Sequence, residues 1–364
     1  MPTFANNMQD HERYMKLALE LAAKGAGWVA PNPMVGCVIL NGGRIIGQGY
    51  HQLHGKAHAE VEAINSVESK SDLNGAQLYV NLEPCSHFGK TPPCCNLIRE
   101  FGITDVFIGN VDSNPIVSGR GIEYLITQGI RVHQGILEKQ CRTLNKRFFT
   151  YHEKKRPYII LKWAQTENGF ISTLPVPASR ELNKITHPNT DVLVHQWRAE
   201  EAGIMVGTNT IKTDNPQLNV RLTKGKDPVK IIFDRNLELI ESSLLKSGAK
   251  TIVITEKKAE TYPNTNLNSE VEYIRVPFDE HQLKMIMHCL FEKKILSVLV
   301  EGGTKLLQSF IHQNLYDEIR VLTSPKKFER GLPAPIHHAE PIGNFMLGID
   351  KIELFRNPEN LFLP

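Results

Sequence analysis

Glu83-Pro-Cys-Ser-His-Phe-Gly-Lys-Thr-Pro-Pro-Cys-Cys95 is the stretch from which the fold of this chain reads outward. It follows an apolar run, Gln77 to Leu82, and leads into a helical segment opened by Pro92-Pro93, so Cys85 lies at a strand end and Cys94 at a helix start. Upstream, His58-Ala-Glu60 opens another helix. One imidazole and two thiols so placed form a set of zinc ligands, because neutral imidazole and thiolate suit that metal and the positive end of a helix stabilises thiolate charge. Three protein ligands leave a fourth position for water, whose pKa falls to about 7 on zinc. Glu60 is the candidate base that moves the proton. Cys95 projects from a different part of the turn and is the less favoured ligand. His51, His54 and His87 are rival ligands in loops, where substrate contact or solvent exposure is the expectation.

Around this core, a helix is expected from Asp10, as N-cap, to near Gly25. Val35 to Leu40 and Arg44 to Tyr50 form a hairpin through Asn41-Gly42-Gly43. Strands near Val106 to Gly109 and Ile130 to His133 follow, then a helical stretch from Leu137 to Tyr151. Alternating strands and helices imply α/β layers. The polar segment Glu153-Lys-Lys-Arg-Pro157 marks a boundary, giving domains 1–153 and 157–364. In the second, strands are expected at 158–163, 203–206, 229–233, 251–254, 271–276 and 295–300, with helices near 189–200, 280–292 and 304–313. Val298-Leu-Val-Glu-Gly-Gly-Thr304 and Val206-Gly-Thr-Asn-Thr210 each run from a strand through glycine into a helix, a weak cue for phosphate binding.

Composition agrees with two globular domains. A chain of 364 residues exceeds what one core usually serves, and 41% hydrophobic with 22% charged residues is ordinary for a soluble protein. A net charge of +3, evenly spread, argues against a nucleic-acid-binding face. Six cysteines without a disulfide-like spread favour reduced thiols and a cytoplasmic enzyme. A secretory signal is not recognisable, and no stretch reaches the roughly 18 apolar residues of a membrane span.

His58-Ala-Glu60 with Pro84-Cys85 matches the H-x-E…P-C pattern of zinc deaminases, in which the glutamate is not a ligand. Where cytidine-type deaminases have two residues between the cysteines, this chain has Ser86 to Pro93. That insertion, with Pro31-Asn-Pro-Met-Val-Gly-Cys-Val-Ile39 and His58-Ala-Glu-Val-Glu-Ala63, resembles the deaminase domain of riboflavin biosynthesis. Tyr158-Ile-Ile-Leu-Lys-Trp-Ala164, Trp197-Arg-Ala-Glu-Glu201, the run from Val206 to Arg221, and Val300-Glu-Gly-Gly-Thr304 resemble the reductase domain of the same bifunctional family.

The resemblance implies an α/β protein with an N-terminal cytidine-deaminase-like three-layer domain followed by a dihydrofolate-reductase-like domain. It implies zinc-dependent hydrolytic deamination of 2,5-diamino-6-ribosylamino-4(3H)-pyrimidinone 5′-phosphate, then NADPH-dependent reduction of the ribosyl group to ribityl. By position, Asn32 and His51 contact the pyrimidine, Lys90 faces the ribose phosphate, and Asp112 and Asn114 lie near the ribotide. In the reductase, Arg198, Leu218, Arg221 and Glu301 face the substrate and Lys162 the reacting sugar. Gln165, Lys184, Thr210, Asp214, Gly303, Thr304 and Lys305 face the cofactor. A homodimer or homotetramer is implied, with no nucleic acid or membrane partner.

Two places depart from the family pattern, a stretch of three residues and a single position. Thr166-Glu-Asn-Gly169 replaces serine, a hydrophobic residue and Asp-Gly, and Lys184 stands where tryptophan is usual beside the nicotinamide. They motivate an alternative in which only the deaminase works and the second domain is structural. A nucleic-acid deaminase is a third reading, opposed by the modest charge and the lack of an aromatic, basic stripe.

Overall fold

A computed structural model describes residues 4–86, 92–114, 117–175, 183–261 and 270–360. The chain separates between Lys154 and Lys155 into two units. The first begins with helix α1 (Phe4–Ala23), the hairpin β1 (Gly36–Asn41) and β2 (Arg44–Tyr50), and helix α2 (Ala59–Asn65). Then β3 (Gln77–Leu82), α3 (Cys94–Glu100), β4 (Asp105–Asn110), α4 (Arg120–Thr127) and β5 (Arg131–Gln134) alternate, and α5 (Glu138–Leu144) and α6 (Lys146–Lys154) close the unit.

Its five strands lie in the order β2-β1-β3-β4-β5, with β1 antiparallel to both neighbours and β3, β4 and β5 parallel. Side chains alternate between faces along each strand. On one face Ile39, Leu78, Val80, Val106 and Ile108 pack with Ala63 and Ile64 of α2 and Ile98 of α3. On the other, Val38, Leu40, Tyr79 and Phe107 pack with Met15 and Ala18 of α1. Helices therefore cover both sides of the sheet. Gly49 allows the close approach of α2 to β2: a Cβ there would sit 2.4 Å from the Ala63 nitrogen.

Two local expectations change. α1 starts at Phe4, so Asp10 is an exposed interior residue of the helix and not its cap. The stretch 137–151 is two helices, because Asn145 leaves the helical path and its amide accepts from Met34 N and donates to Met34 O, both at 2.8 Å. Asn81 also holds this segment, accepting from Gly36 N at 2.8 Å and donating to Met34 O at 3.0 Å.

The second unit begins with β6 (Tyr158–Thr166), β7 (Phe170–Thr173), α7 (Pro188–Glu200), β8 (Gly203–Val206) and α8 (Thr208–Asp214). β9 (Val229–Phe233), α9 (Ser243–Lys246), β10 (Thr251–Thr255), β11 (Val271–Arg275) and α10 (Gln282–Glu292) follow. It ends with β12 (Ser297–Val300), α11 (Thr304–His312), β13 (Glu318–Ser324), β14 (Gly331–Pro333), β15 (Glu340–Leu347) and β16 (Asp350–Arg356).

Nine strands order as β11-β10-β9-β8-β12-β6-β13-β16-β15. From β11 to β13 every pairing is parallel, and the hairpin of β15 and β16 adds antiparallel strands at one edge. Cores on both faces account for the nearly continuous apolar runs of the inner strands. The neighbours β8 and β12 both end in valine and pass through glycine, Gly207 and Gly302-Gly303, into helices α8 and α11. They place two helix starts side by side at the carboxyl ends of the strands, where ligands bind in open α/β sheets.

Candidate active sites

In the first unit, His58 is the N-cap of α2 and Cys94 the first residue of α3, while Cys85 follows the end of β3. The two helix starts bring His58 Nδ1 to 3.5 Å from Cys85 Sγ and 3.4 Å from Cys94 Sγ, with all three ligand atoms within 4.8 Å of one another. A tetrahedral zinc with Zn–S of about 2.3 Å and Zn–N of about 2.0 Å needs N···S edges of roughly 3.5 Å. The trio fits the metal. The hydrogen bond with Cys94 leads in holding the Cys85 thiol down to about 4, with His58 adding to it, and the bond to Cys85 lifts His58 to about 9.

Cys95 points elsewhere: its thiol donates to Pro84 O at 3.3 Å and Gly121 O at 3.6 Å, and burial pushes its pKa upward. Glu60 sits in the first turn of α2 with 3% of its surface exposed. Burial, with the Cys85 charge adding and His58 opposing, pushes its carboxyl up to about 7. A group titrating there both takes and returns a proton at neutral pH.

His51 stands edge-on to His58, ring centres 5.7 Å apart. Its Nδ1 lies 2.8 Å from Ala57 O and donates to it, so Nε2 accepts from Asn32 Nδ2 at 3.1 Å. Burial lowers the His51 pKa and favours this neutral form. Asn32 is in turn placed by the loop that Asn81 and Asn145 anchor. Asp112 is buried, which pushes its carboxyl up to about 6, and its Oδ1 accepts from Asn114 N at 2.7 Å in an Asx turn. His54 is exposed. Lys90 and His87 lie outside the described residues.

In the second unit, Arg198 of α7 grips Glu301 with two parallel bonds, Nε to Oε1 at 2.8 Å and Nη2 to Oε2 at 2.7 Å, and Lys162 Nζ lies 3.7 Å from Oε2. Burial alone would raise the Glu301 carboxyl, but the Arg198 and Lys162 charges with the Arg198 hydrogen bonds outweigh it and hold it at about 2. Arg198 Nη1 also donates to Asn219 O at 3.3 Å, and Arg221 Nη1 to Asn219 Oδ1 at 3.0 Å. Leu218, buried at φ 54°, precedes them.

His195, one turn before Arg198, escapes the sequence reading. Its Nδ1 accepts from Arg221 N at 3.1 Å, and burial with the Arg198 and Arg221 charges lowers its pKa to about 4. The only cue is its spacing of three from Arg198 on one helix.

Thr210 meets the Gly302-Gly303 turn so closely that a Cβ on Gly302 would sit 3.0 Å from its hydroxyl, and Gly303 has φ 74°. This cradle of bare backbone at the start of α11 fits a cofactor phosphate. Thr304 donates to Pro333 O at 3.4 Å, Lys305 is exposed, and Asp214 ends α8. Gln165 and Lys184 lie by other elements. Gln165 accepts from Trp163 Nε1 at 2.8 Å and donates to Thr323 at 3.4 Å, while Lys184 pairs with Asp191 at 2.7 Å. Asn168 closes the turn between β6 and β7, its amide donating to Phe328 O at 2.8 Å and accepting from Phe328 N at 3.2 Å. An aspartate would supply only the second bond.

Residues 8–110 match the cytidine and deoxycytidylate deaminase zinc-binding region, and residues 157–328 match the RibD C-terminal domain. The riboflavin biosynthesis protein RibD of Aquifex aeolicus is 42% identical over 324 residues, 88% of each chain. The chain belongs to the RibD family. RibD of Escherichia coli is 34% identical over 338 residues, again 88% of each chain. Among solved structures, the deaminase/reductase of Thermotoga maritima superposes with a TM-score of 0.86 at 37% identity, and RibD of Acinetobacter baumannii with 0.86 at 28%. Both comparisons cover 96% of this chain and 99% of the other.

Like the RibD proteins, the chain is a bifunctional enzyme of riboflavin biosynthesis. A cytidine-deaminase-like unit that uses zinc precedes a reductase unit that uses NADPH. Among the described residues, no helix is long and apolar enough to cross a membrane.

Proposed function

We propose that residues 1–153 deaminate 2,5-diamino-6-ribosylamino-4(3H)-pyrimidinone 5′-phosphate, and that residues 157–364 reduce the ribosyl group of the product to ribityl. The observation that carries this reading is the His58, Cys85 and Cys94 trio, at zinc-ligand spacing in a half-buried site beside the buried Glu60. The Thermotoga maritima neighbour supports it, being described as a diaminohydroxyphosphoribosylaminopyrimidine deaminase and 5-amino-6-(5-phosphoribosylamino)uracil reductase.

His58, Cys85 and Cys94 hold the zinc, which when bound supplies an acidified water as nucleophile. Glu60 takes a proton and returns it to the departing amine. Asn32, its Nδ2 committed to His51, keeps Oδ1 to accept from an amino group of the pyrimidine. Asp112 and Asn114 face the ribotide, and Lys90 its phosphate.

In the reductase, Thr210, Asp214, Gly303, Thr304, Lys305, Gln165 and Lys184 hold NADPH, the source of reducing equivalents. Leu218, Arg221, Glu301 and Arg198 hold the ribotide. Arg198 is anchored by Glu301 and Asn219, and the fork of Arg221 suits the ribotide phosphate. Reduction at C1′ opens the ring, and Lys162 gives the proton that the released oxygen requires.

We infer a homodimer or homotetramer. The edge strand β15 is exposed along its length and carries Ile342, Phe345 and Met346 at the surface, an unpaired edge that a second copy would cover. The six free cysteines support a cytoplasmic setting. No nucleic-acid partner is proposed.

Incubating the protein with the diamino-pyrimidine ribotide and identifying products by mass tests the assignment. Without NADPH, one amino group should be exchanged for oxygen. With NADPH, the product should gain two further hydrogens. Deamination without the second step would favour a reductase unit that is structural only.

A further inference from the structure

Glu83 follows the last residue of β3 and stands two residues before Cys85, with 4% of its surface exposed. Its carboxylate is filled by backbone donors. Oε2 accepts from Asp112 N at 3.1 Å and Gly119 N at 2.9 Å, and Oε1 from Gly121 N at 2.8 Å and Ile122 N at 3.2 Å. Three of these donors belong to the start of α4, whose N-cap, Gly119, has no side chain with which to satisfy them. The fourth belongs to Asp112, whose own carboxylate fixes Asn114 N. On the other side, Gly121 presses so tightly on the Pro84-Cys85 turn that a Cβ there would lie 2.1 Å from Pro84 O.

We propose that Glu83 positions the ribotide-facing loop of the deaminase: one buried carboxylate locks residues 112–114 and the start of α4 in register with the turn that carries Cys85. The proposal rests on the reading of Asp112 and Asn114 as ribotide contacts. No cation pairs with Glu83 among the described residues. The negative charge is met by amide dipoles alone, which ties it to the path of the loop and not to a mobile side chain.

Glu83→Gln is the test, because it keeps the size and one acceptor but turns an NH2 group toward two of the four N–H donors. Zinc content should stay that of the unaltered protein, KM for the ribotide in deamination should rise roughly tenfold, and kcat should change far less. Hydrogen exchange should quicken in 111–114 and 117–122 and not in the sheet strands or the other helices of the unit. The reductase reaction on deaminated ribotide should be unaffected in the same preparation. Loss of zinc, or a fall in kcat at unchanged KM, would overturn the proposal by placing Glu83 in the metal site. An unchanged KM in Glu83→Gln beside a raised KM in Asp112→Ala would overturn it while leaving the ribotide reading intact. An unchanged KM in Asp112→Ala would remove the ribotide reading, and the proposal with it.

Discussion

His58, Cys85 and Cys94 are brought together by two helix starts and one strand end, all packed against a single sheet, whereas Lys162, Arg198 and Glu301 come from β6, α7 and the end of β12. In the first site two helix starts and a strand end set the spacing, and hydrogen bonds among the ligands add to it. In the second, opposite charges buried beside one another set it, and each is held by its partner. A metal site built on backbone should lose function without losing its fold when one side chain is cut. A buried ion cluster should lose both.

The largest expected effect is at the zinc site. Cys94→Ser should abolish zinc binding, read as metal per chain, and deamination with it, whereas Cys95→Ser should leave both intact. Zinc loss in the Cys95 variant alone would mean that the ligand spacing described above is misassigned. Glu60→Ala should keep the metal and lower ammonia release by about 10²–10⁴-fold, the usual worth of a general acid–base group. Loss of metal in that variant would make Glu60 a structural member of the site and blur the contrast.

The converse holds for the ion cluster. Arg198→Ala removes both close hydrogen bonds to buried Glu301 and leaves Lys162 at 3.7 Å as its remaining ion-pair partner among the described residues, and breaking a buried pair costs up to about 3–5 kcal/mol. Guanidinium unfolding of the second unit should shift by that amount, and reduction should be lost. Two of the three tryptophans, Trp163 and Trp197, report on that unit by fluorescence. A stable, inactive Arg198→Ala protein would show that Arg198 acts on substrate and not through Glu301.

Acid should separate the charges of this cluster in two stages. The His195 pKa is lowered to about 4 from the usual 6.5, so the unfolded chain takes up that proton first and stability falls as pH drops from 6.5 to 4. The Glu301 pKa is lowered to about 2 from 4.5. Its contribution, on the order of 3 kcal/mol, is complete above pH 4.5 and is lost as pH falls through 2. His195→Asn retains an acceptor for Arg221 N without titrating, and should erase the upper stage while leaving the lower one. Persistence of the upper stage in that variant would assign it to another group.

The contrast also governs what is legible before folding. The zinc ligands, the hairpin of β1 and β2, and the strands β3, β8 and β9 are visible because local signals suffice: a turn, an apolar run, a proline before a helix. β13 hides because its alternating Glu318 and Arg320 look solvent-facing, yet they are buried as a pair 2.6 Å apart. β15 hides because it is exposed throughout and contains Pro341 and Gly343, so only pairing with β16 makes it a strand. His195 hides because its partner is a backbone nitrogen, which no residue type announces. Most of the reductase residues are legible only through resemblance to the family, because residue types alone point no further than a glycine turn.

The smallest effect concerns Lys184, where the family usually has tryptophan. Its ion pair with Asp191 is 39% and 33% exposed, so it contributes at most about 1 kcal/mol. Lys184→Trp should therefore leave the stability of the unit nearly unchanged. A flat ring beside the nicotinamide adds a stacking contribution of about 0.5–1.5 kcal/mol, so NADPH affinity should tighten by roughly two- to tenfold in a fluorescence titration. Lys184→Ala separates the ring from the removal of the lysine: equal tightening in both variants would mean that the ammonium hinders the cofactor. If neither variant alters NADPH binding, Lys184 does not border the nicotinamide, and the cofactor site narrows to the Gly302-Gly303 cradle and its Thr210 neighbour. That outcome would bring the reductase closer to the deaminase, with a site set by backbone at a helix start and charges serving only the substrate.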